Sequence, residues 1–412
     1  MDIRSKYFEI YPKVVRSGQK SIITVKPLFD HCKLKSSAQY FISACPLEMG
    51  GMKYTSRERI EIQPIDGALK IELFFDGEQE HYLHIYEVVG GEEREYLSFN
   101  VYSLKEDLFD RKPYKGDMHI HSYYSDGAES PAYVAAYCRK IGLDFIAITD
   151  HGKYEPSLEA IDAFKTFETD FKIFPGEEVH PPENEVHMIN FGGKFSVNEL
   201  FKDREKYMRE VEKIIRNLES RGESSFLNLS EKDRYKYASC LWCFNKIREA
   251  GGMGIYCHPF WIYSSRYNVP SSLNEYIFQE KPFDAYEAIG GYYIHQVDSN
   301  TLQVAYYHEQ REKGNRVAIV GVSDAHGCEK GKLIGWYYTI VFSPKLELLD
   351  IIDSIKSFYS VAVEALPGEA VRAYGPFRLV KYALFLIREV FPEHDARCYE
   401  EGKKMMEHIS SK

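Results

Sequence analysis

The chain has 412 residues, 44% of them hydrophobic, with Tyr 32 and Phe 25 supplying much aromatic bulk. That length favours two domains over one and is ample for a sizeable core. A net charge of −10 argues against binding to long nucleic acid, which needs a basic footprint. A small anionic substrate stays open wherever bound cations dominate the local field.

No run of about 18 apolar residues occurs, so neither a transmembrane helix nor a membrane partner is expected. The opening Met1-Asp2-Ile3-Arg4-Ser5-Lys6 lacks the apolar centre of a signal peptide. The cysteines are scattered rather than framework-like, and reduced thiols in the cytoplasm are the simplest expectation. Oligomeric state cannot be read from the sequence.

Residues 1–112 read as an all-β, sandwich-like domain. Alternating or aromatic-rich runs recur at 7–15, 21–28, 39–45, 59–65, 69–75, 81–88 and 96–102, several divided by turn signals such as Asp76-Gly77 and Gly90-Gly91. Asp110 to Gly116 reads as a linker. From there to residue 412 the pattern alternates strand and helix, which predicts an α/β fold with a parallel sheet or barrel. Met118–His121 is a predicted strand. Pro131–Ile141 is a predicted helix with Ser130 as N-cap and proline at its first position. A helical insertion is expected over about 196–250, and a C-terminal helical extension over about 366–412, including an amphipathic helix at Phe377–Val390.

The chemistry concentrates in this second region. His119 and His121 are two residues apart on an extended segment, so their side chains share one side and converge. In order after them come Asp126, Thr149-Asp150-His151, Gly176-Glu177-Glu178, His187, His258-Pro259 and Ser323-Asp324-Ala325-His326. A lone histidine is more often a surface or hydrogen-bonded core residue. Here six of the 14 histidines stand beside acids, several just past predicted strands, where α/β barrels build active sites. Imidazole and carboxylate together form a ligand set for Zn, Mn or Fe without choosing among them.

This series resembles the PHP (polymerase and histidinol phosphatase) family of metal-dependent phosphoesterases over about residues 115–365. The resemblance implies a distorted (β/α)7 barrel holding two or three divalent ions. His119, His121, Glu178 and Asp324 would form one site, and Glu178 would bridge to a second ion held by His187 and His258. Asp126, His151 and His326 would hold a third. It further implies hydrolysis of a phosphate ester, here a small phosphomonoester, by metal-activated hydroxide. Alternatives are a nucleotide phosphodiesterase or nuclease on the same ions, a C–N hydrolase, and a noncatalytic metal-stabilised binding protein.

Neighbouring residues divide by geometry. On an extended segment Glu177 and Glu178 point to opposite sides, and the Gly-x-Glu spacing favours Glu178, leaving Glu177 behind the ligands or exposed. His180 shares the side of Glu178 if the strand continues, whereas Pro181-Pro182 suggests a loop. Asp150 is read as the orienting partner of a metal-bound imidazole or water, or else as a turn cap. Lys153 and Lys330 adjoin motif ends and are candidate phosphate contacts, as is Arg139. Cys240-x-x-Cys243 lies in a predicted helix without a second pair, so helix packing is its expected role.

Overall fold

The computed structural model describes residues 3–35, 37–48, 59–329 and 332–411. They form two compact units: residues 1–111 with 377–392, and residues 112–376 with 393–412.

The first unit is β-rich, as its alternating sequence requires. Strands Phe8–Tyr11, Gln19–Pro27, Ala68–Phe75 and Pro64–Ile65 form one sheet in that spatial order. Val14–Arg16, Glu92–Leu104, Gln79–Val89, Gln39–Pro46 and Ile60–Ile62 form a second. Along Ala68–Phe75 every second residue from Leu69 onward is buried, the period of two expected of a half-buried strand. Leu69 and Ile71 of the first sheet share one core with Tyr40, Leu83, Ile85 and Val101 of the second.

Helix Phe377–Glu389 belongs to this β-rich unit and not to the unit it follows in sequence. Its apolar face, containing Tyr382 and Phe385, packs on Tyr102 at ring-centroid distances of 5.1 and 5.3 Å. Arg378 donates to both Glu78 and Asp107. The continuous C-terminal extension read from sequence is therefore divided. An amphipathic pattern identifies an apolar face but cannot name the surface that covers it.

The second unit contains two mixed sheets rather than one uninterrupted ring of ladder bonds. One has the order Lys172–Phe174, Phe145–Ala147, Lys112–Asp117, Tyr337–Ser343, Ser360–Glu364, Arg372–Tyr374; the other has Gly176–Val179, Met188–Phe191, Met253–Tyr256, Ala285–Gly290, Ala318–Val322. Apolar runs such as Phe145-Ile146-Ala147 and Ala318-Ile319-Val320 are buried on both faces, as parallel strands covered by helices must be. Residues 110–116 are not a linker, because Lys112–Asp117 is an internal strand paired on both sides. A Cβ on Gly116 would lie 2.1 Å from the Phe145 ring, which explains the glycine there.

The two sheets meet along side-chain bonds. Thr339 Oγ1 donates to the Gly321 carbonyl at 2.7 Å and Ser360 Oγ to that of Ile319 at 2.8 Å. The predicted insertion is helical, with Arg204–Ser220 and Glu231–Glu249 as its long elements. Ser130 caps helix Pro131–Lys140 by accepting from the Tyr133 N–H. Among the described residues no helix is long and apolar enough to cross a membrane.

The terminal helix is clasped to this unit by charge. His394 places Nε2 2.8 Å from Asp144 Oδ1 and Nδ1 2.9 Å from Asp395 Oδ1. Burial opposes protonation, but these two carboxylates raise the imidazole to about 11. A pKa raised on folding stabilises fully below the unfolded value of about 6.5 and is lost as pH climbs toward the folded one. The melting-temperature gap between the wild type and His394→Gln is therefore expected to be wider at pH 6 than at pH 9.5. Equal gaps would refute the clasp.

Candidate metal centre

Strand ends bring the chemistry together. Lys112–Asp117 is followed by His119 and His121, Phe145–Ala147 by His151, Met253–Tyr256 by His258, and Ala318–Val322 by Asp324 and His326. Gly176–Val179 carries Glu178 and pairs antiparallel with Met188–Phe191, Val179 opposite Met188. His187 thus arrives at the same end of its sheet as Glu178. His119 and His121 lie just beyond the predicted strand's true end, and a single parallel bridge, Ile120 to Ala325, keeps that segment extended.

All nine residues expected as ligands converge. Asp324 Oδ1 lies 2.8 Å from His121 Nε2 and 3.2 Å from His119 Nε2. Glu178 Oε2 lies 2.5 Å from His151 Nδ1 and 3.5 Å from His119 Nε2, while its Oε1 lies 2.8 Å from His187 Nδ1 and 3.8 Å from His258 Nε2. Asp126 Oδ2 stands 3.2 Å from His326 Nε2 and 3.5 Å from His151 Nε2. The side chains of His119, His121 and Glu178 are wholly buried, whereas Asp126 is 54% exposed. The cluster therefore has a dry floor and an open rim.

Charge balance at the floor is internal. Burial would raise the Glu178 carboxyl, yet the imidazoles of His187, His119 and His151 hold it well below the ordinary range. Burial likewise opposes ionisation of Asp324, and His119 and His121 reverse it. Burial lowers His187 to about 4. Both Glu178 oxygens, His119 Nε2 and His187 Nδ1 are buried without a hydrogen-bond partner. Buried polar atoms are rarely left so, and here they face one another with lone pairs available. The donor chemistry fits divalent cations. Ligand-sized groups recur, including His121 with Asp126, His151 and His326, and His119 with His121 and Glu178.

The neighbours take separate roles. Asp150 takes the second of its two expected roles, that of a turn cap. It accepts from the N–H and hydroxyl groups of both Ser122 and Ser125, at 2.6 to 3.1 Å, and so caps that turn. Glu177 is buried facing away and binds the 195–198 loop through Asn190, Ser196, Val197 and Asn198; it is neither exposed nor directed at substrate. His180 does join the cluster, its Nε2 2.7 Å from His151 Nδ1 and 3.5 Å from Glu178 Oε2. Lys153 is exposed, and Lys330 lies outside the described residues. Arg139 is withdrawn into ion pairs with Asp144 and Glu401. Cys240 and Cys243 are buried in their helix, with both thiols pushed up by burial.

Three participants escape sequence reasoning. Asp117 is fully buried and accepts from the N–H groups of His119 and Ser323, pinning two ligand segments together, and burial raises its carboxyl to about 7. Trp261 places its ring 6.1 Å from His187 and 6.0 Å from His258. Glu287 approaches His119 from behind at 3.1 Å. Only Glu287 left a legible sign, a lone charge within the apolar strand Ala285–Gly290.

Residues 117–246 match the family model of the PHP domain. A DNA polymerase/3'-5' exonuclease PolX from Bacillus subtilis is 33% identical over 119 residues, which are 26% of this chain and 21% of that protein. The chain thus spans about a fifth of the length of that curated relative. A two-domain protein from Bacteroides vulgatus, described as containing a predicted PHP-like metal-dependent phosphoesterase, superposes over 61% of this chain and 65% of its own, at 16% identity and a TM-score of 0.40. A putative metal-dependent phosphoesterase from Bifidobacterium adolescentis covers 58% of this chain and 94% of its own, at 18% identity and a TM-score of 0.37.

The two adjacent glutamates make opposite predictions. Glu178→Gln is expected to lower the bound-metal content measured by mass spectrometry and to leave the protein folded. Glu177→Gln is expected to lower the melting temperature while metal content holds. The reverse pattern would show the two roles to be exchanged.

Proposed function

We propose that this chain, which carries a PHP domain at residues 117–246, is a hydrolase of small phosphomonoesters that uses two or three divalent ions, Zn, Mn or Fe. The observation that carries this reading is the buried Glu178, whose two oxygens divide between His187 on one side and His119 and His151 on the other. Such a carboxylate is suited to bridge a pair of ions. In this reading the two mixed sheets together make a distorted barrel with the cluster at its mouth.

His119, His121, Glu178 and Asp324 would hold the first ion, Glu178, His187 and His258 the second, and Asp126, His151 and His326 a third at the rim. Ions bound to such a set supply an activated water nucleophile and neutralise charge developing on phosphoryl oxygens. The chain's residues do the rest. The imidazole of His326 is oriented from both ends, its Nδ1 donating to the Asp324 carbonyl at 2.8 Å and its Nε2 facing Asp126 Oδ2 at 3.2 Å. His180, 36% exposed at the rim, would touch the substrate in this reading. The complete burial of His119 and Glu178 excludes bulk water and strengthens every charge interaction within.

A second reading, a nucleotide phosphodiesterase, is favoured by the aromatic face of Trp261 beside His187 and His258, extended outward by Tyr263 at 5.5 Å. Bases stack on such faces at about 1–3 kcal/mol each. The PolX similarity points the same way, since that relative is named an exonuclease.

Rates on simple phosphomonoesters, nucleoside monophosphates, a nucleotide diester and single-stranded DNA will separate the two. Monoester hydrolysis is expected to vanish on chelation, to return with Mn²⁺ or Zn²⁺, and to fall on the order of 10²–10³-fold or more in His119→Ala. A preference for the diester, reduced by Trp261→Ala, would transfer the assignment to the second reading. Turnover unaffected by both chelation and His119→Ala would exclude this site.

A further inference from the structure

His119 has a ring nitrogen on each side of a boundary. Its Nε2 faces the cluster, 3.2 Å from Asp324 Oδ1 and 3.5 Å from Glu178 Oε2. Its Nδ1 faces the opposite way and lies 3.1 Å from Glu287 Oε2. An ion bound at Nε2 is thus out of reach for a carboxylate at Nδ1, although Glu287, His119 and His258 are close enough to one another to count as a ligand group.

The backbone around Glu287 is shaped to present it. Strand Ala285–Gly290 pairs regularly with Ala318–Val322 up to Glu287 and then shifts register before Ile289. Such bulges re-aim side chains, and they concentrate next to active sites. Three residues after Glu287, a Cβ at Gly290 would lie 1.9 Å from the Val322 carbonyl oxygen, so that close return of the chain requires glycine. Glu287 is wholly buried, and its Oε1 has no hydrogen-bond partner. Among the described residues its ion pair is with His119. A buried carboxylate is costly unless it is paired, so its placement behind this imidazole needs a return.

We propose that Glu287 is a positioning residue that holds the Nδ1 proton of His119, presenting the Nε2 lone pair toward Glu178 and Asp324 without itself touching the ion. This inference rests on the metal-dependent reading above. A carboxylate behind a ligating imidazole fixes the ring's tautomer and orientation and raises its basicity, and its loss weakens metal binding by about 10–100-fold. Glutamine retains a carbonyl oxygen able to accept from Nδ1–H, whereas alanine does not.

The test is zinc affinity of the full chain, measured by competition with a chromophoric chelator and normalised to folded protein. Wild-type protein is expected to bind tightly, Glu287→Ala on the order of 10–100-fold more weakly, and Glu287→Gln close to wild type. A folded Glu287→Ala with wild-type zinc affinity overturns the inference and leaves the metal-dependent reading intact. Wild-type protein that binds no zinc, manganese or iron overturns that reading, and the present inference with it. Should Glu287→Ala fail to fold, nitrogen NMR of zinc-loaded, histidine-labelled wild-type protein, with His119 assigned by comparison with His119→Gln, decides the matter. A proton found on Nδ1 supports the proposal, and a proton on Nε2 overturns it.

Discussion

The ligand-bearing segments are bonded to one another by backbone before any side chain reaches the centre. Asp324 N–H donates to the His119 carbonyl at 2.8 Å, and His121 N–H to that of Ala325 at 2.9 Å. On the other side Gly152 N–H donates to the Glu178 carbonyl at 2.9 Å, and Thr149 N–H to that of Ile120 at 2.8 Å. These bonds lie past the regular sheets, where neighbouring strands have separated. They tie four ligand-bearing segments into one frame, and the positions of their imidazoles follow from it. Asp117 and Asp150 serve the same frame from within, each accepting from two segments or from both ends of one turn.

The frame holds residues in places they would not choose. His258 and Asp324 have φ of +23° and +48°, in the left-handed region that costs a non-glycine residue about 1–3 kcal/mol. Both are expected ligands at the ends of strands. Two carboxylates are also packed among imidazoles in a space with little water, each with its ionised form favoured by those neighbours. Such conformational and electrostatic costs persist only where the surroundings over-determine them. A cation at the centre would relieve the electrostatic part directly.

Much of this was legible in the chain, for a definable reason. His119, His121, Glu178 and Asp324 could be named because metal ligands are restricted to a few residue types and recur just past apolar strand runs. The two domains' differing patterns, alternation first and strand–helix units later, follow from the two periods of regular structure. What could not be read is relational. Asp150 and Glu177 are chemically as fit as their neighbours, and only the direction of each side chain shows that one caps a turn and the other ties down a loop. Trp261 carries no ligand atom, so no motif marks it. The strand Lys112–Asp117 was hidden by its composition: Lys-Pro-Tyr-Lys-Gly-Asp resembles a turn, and pairing on both edges overrides that local preference.

Helix Phe377–Glu389 gives the chain an order of events. The β-rich unit is begun by residues synthesised before all of 112–376, yet one of its surfaces, around Tyr102, is completed only by a segment that follows them. At about 5–20 residues per second, that surface waits tens of seconds for its cover. Expression of residues 1–111 alone would make the wait permanent, leaving Tyr102 and the acidic side chains of Glu78, Glu80 and Asp107 without the helix that meets them. A fragment designed from the β unit therefore has to be built from two distant stretches of the gene, joined by a short artificial connection.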